Sequence, residues 1–107
     1  MTRLAITTAA ALALAACAPS PDSITPVSMP GGMYDHLSCQ SARAERARLA
    51  EGLTALESRQ RGAVAGDAFG VFLIGVPVSS LTGSNVAGLI AAERGKLLAI
   101  DARLERC

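Results

Sequence analysis

Hydrophobic and polar positions change their rhythm several times along the chain. Leu4 to Ala13 is a small-apolar run broken only by Thr7 and Thr8. Residues 18–34, APSPDSITPVSMPGGMY, have no period and hold four of the five prolines together with Gly31 and Gly32. From Asp35 or Ser38 the pattern turns helical: Cys39, Ala42, Leu49, Leu53, Leu56 and Ala63 fall on one stripe, with Arg46 and Gln60 as its polar breaks. Arg43, Glu45, Arg48, Glu51, Glu57, Arg59 and Arg61 mostly lie elsewhere on the wheel, and Glu57 with Arg61 forms a favourable i,i+4 pair. Past Ser84 or Asn85, either of which suits an N-cap, Val86, Ile90, Leu97, Ile100, Leu104 and Cys107 repeat at helical spacing, with Glu93 as the only break.

This pattern predicts a helix over about 38–66, an apolar connecting segment over about 67–83 and a second helix over about 85–106. Two narrow stripes on one chain bury each other when the helices fold back antiparallel. The expected fold is therefore all-α, an antiparallel helical hairpin over 35–107 with a Gly-rich apolar connection. Residues 17–34 cannot propagate a helix or bury a core, and read as a disordered, extended tether reaching at most about 60 Å. Residues 1–16, a charged start at Arg3 followed by an apolar run and small residues, have the order of a secretory signal peptide. The run is too short for a span, which needs about 20 apolar residues.

Cys39 opens the first stripe and Cys107 closes the second. Pairing them sets a register in which Ala42 faces Leu104, Leu49 faces Leu97 and Leu56 faces Ile90. In an oxidising compartment an intramolecular disulfide is the expected state. Two other uses stay open: metal binding with nearby His36, which offers only three ligands and needs reduced thiols, and intermolecular pairing through Cys107.

Gly62, Gly66 and Gly70 recur every four residues, and Phe69 to Val78 contains no polar residue. The spacing resembles the glycine zippers of membrane-associated helices, while Pro77 should end or kink any helix there. Three readings fit. In the first, Phe69, Phe72, Leu73, Ile74, Val76 and Leu81 fold onto the helices as a small core; in the second they dip into a bilayer; in the third they dock another envelope protein or a second copy through 62–81.

Composition narrows the function more by exclusion than by assignment. Only Phe69, Phe72 and Tyr34 are aromatic, and the formal charge is +1. Removing Arg3 with the signal leaves nine basic and nine acidic residues, so nothing suggests a nucleic-acid binder. No Gly-x-Ser-x-Gly elbow, paired metal-binding histidines or phosphate-cradling Gly-Lys-Ser/Thr occurs. His36 is the single histidine. Asp67 is the one acid beside the apolar segment, either a buried titrating group or a cap and polar stop. The expectation is a protein that is not an enzyme and carries no cofactor.

Leu14-Ala15-Ala16-Cys17 resembles the lipobox of bacterial lipoprotein precursors, in which a cysteine after small residues receives a diacylglyceryl group on its thiol and becomes the mature N-terminus, usually acylated too. The resemblance implies that Cys17 is lipidated and that the chain is held on a membrane. Ala18 stands where an Asp would resemble an inner-membrane retention signal, which implies the outer membrane, facing the periplasm. The whole layout of lipobox, Pro-rich tether, Cys, helix, apolar middle, helix and Cys resembles small uncharacterised bacterial lipoproteins. It implies a structural or protein-interaction role. The alternatives are an accessory subunit of an envelope complex docking through 68–81, and a small-molecule or metal-binding periplasmic lipoprotein.

Overall fold

The computed structural model describes residues 17–107; the signal peptide expected over 1–16 lies outside the described residues. Helix α1 spans Cys39–Ile74, α2 spans Val78–Thr82 and α3 spans Ala87–Leu104, with a 3-10 turn at Pro21–Ser23 and no strand among the described residues. Helices α1 and α3 pack antiparallel along a molecule 62 Å long and 24 by 18 Å across. The chain is all-α and a helical hairpin.

Helix α1 starts where Ser38, with extended backbone, accepts the Ser41 N–H on its Oγ at 3.1 Å, which satisfies one of the open donors of the first turn. It ends at Gly75, whose φ of 74° is left-handed and whose N–H donates to Val71 O at 3.1 Å; glycine takes that conformation without penalty. The helix thus runs past the expected boundary near 66, through Gly66 and Gly70. Each glycine disfavours the helix by about 1 kcal/mol relative to alanine, but a nucleated helix gains one hydrogen bond for each residue added. Within the described fold the three glycines do not have the same surroundings. Beyond the adjoining residues and backbone of the helix itself, no described atom lies within 4 Å of a Cβ built on Gly62 or Gly66, whereas one on Gly70 would overlap the Val78 side chain and lie 2.9 Å from Val76 O. Only Gly70 receives another segment, the return of the chain through Pro77 into α2.

Helix α3 begins at an N-cap of Val86, not at Ser84 or Asn85. The donor that a local cap would satisfy is met from across the hairpin, where Gln60 Oε1 accepts the Val86 N–H at 2.7 Å. Asn85 contributes by accepting the Ala87 N–H at 3.2 Å.

Cys39 and Cys107 are joined by a disulfide, with their Cα atoms 5.9 Å apart, which removes their thiols from metal binding and from pairing between chains. The register follows from it: Arg46 Nε meets Asp101 Oδ1 at 2.5 Å, and Gln60 meets Val86 as above. At the disulfide end Ala42, Leu49, Ile100 and Tyr34 form the buried core, flanked by Leu37, Leu97, Ala99 and Leu104. Arg103 Nη2 donates to Leu37 O at 2.8 Å and Arg106 pairs with Asp35, closing this end.

Residues 18–34 are extended outside the 3-10 turn and a turn that begins at Gly31, but they are not a free tether. They form a strap that starts beside Asp67 and ends at the core, running antiparallel to α1. Ala18, Pro21 and Tyr34 are buried. Val27 N–H donates to Ala91 O at 2.9 Å, and Arg94, which also pairs with Glu57 at 2.9 Å, donates to Ile24 O at 2.5 Å. Gly95 opens the notch in α3 where the strap crosses, since a Cβ there would overlap Val27 O. Prolines that stop a helix also lower the entropy of the free chain, so an extended segment already rich in proline loses less on docking.

Two stability tests follow from this architecture. Replacing Cys39 or Cys107 by Ser should lower stability equally, by about 4 kcal/mol for a loop of this length in the chain-entropy model, measured by urea unfolding; unequal effects would show that the bond is not what holds the register. Gly62→Ala should stabilise by about 0.5–1 kcal/mol as an exposed helix-interior replacement, whereas Gly70→Ala should lower the melting temperature because α2 must move away.

Candidate functional site

The end of the hairpin opposite the disulfide gathers the buried polar side chains Gln60, Asp67 and Ser79. There α1 stops at Gly75, the chain turns through buried Pro77, and α2 folds back over Gly70. Gly83, left-handed at φ 67°, ends α2 by donating its N–H to Ser79 O at 3.0 Å.

Asp67 lies under this fold-back, only 1% exposed. Its Oδ1 accepts the Ser79 N–H at 2.6 Å, and its Oδ2 accepts Ser79 Oγ at 2.6 Å and the Ala18 N–H at 2.7 Å. Burial pushes the carboxyl upward, but the bonds from Ser79 and Ala18 favour the charged form more strongly and hold it below the usual aspartate range. Asp67 is therefore a fixed anion tying the strap to α1 and α2. A carboxyl held ionised in this way is no proton reservoir at neutral pH.

About two turns before Asp67 on α1, Gln60 forms a second node. It is fully buried, and its Nε2 donates to Pro19 O at 2.9 Å and Asn85 Oδ1 at 3.0 Å while its Oε1 receives Val86 N–H. Sequence reading marks Gln60 only as a break in the stripe. The signal is that position itself, because an amide on a buried seam must find partners or leave buried polar groups unsatisfied.

Above Asp67 the surface becomes apolar. Phe69, Phe72, Leu73, Ile74 and Val76 are exposed, Phe72 by 85%, and Leu81 by 71%. This corrects the reading in which these residues fold back as a core: α1 continues unbroken to Ile74, and the short α2 covers the Gly70 face and leaves the others open. Cys17, partly buried, precedes Ala18 and so sits one residue from the Asp67 node.

The remaining candidates are scattered. Cys39 and Cys107 lie at the far end of the hairpin, and His36 is exposed beside the Asp35 and Arg106 pair. Among the described residues no group of three or more His, Cys, Asp or Glu could hold a metal ion, and no helix is long and apolar enough to cross a membrane. Shallow surface grooves run beside Tyr34 and Arg48 and beside Gly52 and Lys96. Compared with protein-family models, curated proteins and solved structures, the chain matches none.

Asp67→Asn removes the charge and turns one acceptor into a donor facing donors, so it should cost about 2–3 kcal/mol of stability near neutral pH. Because the folded pKa lies below the unfolded value of about 4, this contribution is complete above pH 4 or so and is lost as pH falls through the folded value. Urea unfolding across the acid range should show a steeper loss of stability in the parent protein than in D67N; parallel curves would mean that the carboxylate contributes nothing.

Proposed function

We propose that this protein is a lipid-anchored bacterial envelope lipoprotein with a structural or protein-interaction role and no catalytic activity. The observation that carries the reading is Leu14-Ala15-Ala16-Cys17 at the end of a charged, then apolar, N-terminal run. A disulfide between the other two cysteines fits export to an oxidising compartment. Ala18 after the acylated cysteine favours the outer membrane, with the hairpin in the periplasm.

Attachment by lipid follows simple arithmetic: at roughly 0.8 kcal/mol for each buried CH₂, one chain binds reversibly and two or three bind durably. A diacylglyceryl group on the Cys17 thiol, with a further acyl group on the new amino terminus, meets that requirement. The exposed apolar residues between 68 and 81 support a second reading, in which the protein is an accessory subunit of an envelope complex and docks through them.

Cys17→Ala should abolish labelling by radioactive palmitate and leave either an uncleaved precursor or protein released from membranes, read by fractionation and intact-mass measurement. Normal palmitate labelling of C17A would end the lipoprotein assignment.

A further inference from the structure

We propose that the hairpin tip is a membrane wedge: Phe69, Phe72, Leu73, Ile74 and Leu81 enter the same lipid leaflet as the acyl chains on Cys17, so that the hairpin stands on the bilayer at two adjoining points. The proposal rests on the reading of Cys17 as the lipidated residue.

The first argument is where the strap begins. A free tether of 17 residues would let the fold sit up to about 60 Å from its anchor, and the tip would have no reason to meet lipid. Instead the Ala18 N–H is bonded to Asp67 at 2.7 Å, and Phe69 follows Asp67 by two residues on the same helix. The anchor and the exposed apolar side chains therefore leave the molecule at the same end. Gln60, holding Pro19 O, and Arg94, holding Ile24 O, keep the following strap residues down as well.

Depth is the second argument. Phe69 to Ile74 covers five helical rises, about 8 Å, which matches the 5–10 Å to which apolar faces enter the boundary between headgroups and acyl chains. A stretch of that height wets an interface but spans nothing. Residues 68–81 contain no charged side chain, and the one charge beneath them, Asp67, is buried and fully bonded.

Charge placement is the third. Going back along α1 from the tip, the first exposed charged residues are Arg61 and Arg59. Arg61 lies about 12 Å below Phe69 along the helix axis, and Arg59 Nη2 donates to Gly83 O at 3.3 Å. Cations at that height suit the phosphate layer of a bilayer whose acyl region receives the tip.

The chain contains no tryptophan, so F72W in the full-length lipidated protein puts a single fluorophore on the most exposed tip residue, and A44W puts one about 42 Å away along α1. Each variant is reconstituted into vesicles of phosphatidylethanolamine and phosphatidylglycerol carrying lipid brominated near the top of the acyl chains. The expected result is a blue shift and loss of most of the emission for F72W, with no change for A44W. Flotation with the vesicles together with intact mass reports the lipid on Cys17 separately. Flotation with an unquenched F72W overturns the wedge and leaves the anchor standing. A shielded but unquenched F72W in a sedimenting dimer overturns it in favour of a second copy. Absence of lipid on Cys17 overturns both the anchor and the shared leaflet.

Discussion

Two packed helices have a buried face only where their seams touch; the flanks of each seam stay wet unless a third element covers them. In this protein the third element has no α-helix and no ladder of its own, only the 3-10 turn at Pro21–Ser23. The strap from Ala18 to Tyr34 fills one side of the groove between α1 and α3, and Tyr34 completes the core formed by Ala42, Leu49 and Ile100. A chain this short, with few aromatic residues, has little apolar surface to spare, and bringing the proline-rich segment onto the hairpin is how it gains a third layer.

That solution sets the polar chemistry of the interior. An extended segment without a sheet partner must find acceptors and donors for its own backbone. Beyond its own 3-10 turn, where Ser23 and Ile24 N–H donate to Ser20 and Pro21 O, they come from side chains and from one helix carbonyl. Asp67 takes Ala18 N–H, Gln60 gives to Pro19 O, Arg94 gives to Ile24 O and Ala91 O takes Val27 N–H. Buried Gln60 and Asp67 on α1 and half-buried Arg94 on α3 are thus backbone partners for a neighbouring segment, which explains why a seam otherwise made largely of Ala, Leu and Ile carries an amide and a carboxylate. Of the other polar breaks, exposed Arg46 pairs with Asp101, and half-buried Glu93 lies beside Gly52 and pairs with Lys96.

The helices, their antiparallel register and the disulfide were legible because each rests on short-range periodicity or on a pairing of only two cysteines. The continuation of α1 to Ile74 was not, since local glycine preference argues against it and the deciding contact, Val78 on Gly70, is tertiary. The docking of residues 18–34 was equally hidden: proline content reveals that a segment is extended but is silent on what lies beside it. The exposure of Phe72 and its neighbours depends on how short α2 is, and that is fixed by left-handed Gly83. Asp67 stood out as the lone acid near the apolar run, but its three donors come from residues 12 and 49 positions away.

A hairpin held by one bond at its open end could still roll, each helix turning about its own axis while the seam stays greasy on both sides. Two glycines remove that freedom. Val76 and Val78 seat against Gly70 on α1, and the Val27 carbonyl seats in the notch at Gly95 on α3. At both sites a Cβ would overlap its neighbour, so a rotation that brought an alanine or leucine under it would collide. Each helix is therefore indexed like a shaft with a single keyway, and the azimuth of every side chain along it, from the Leu49 core to the exposed Phe72, is set by where one missing methyl group lets another backbone in.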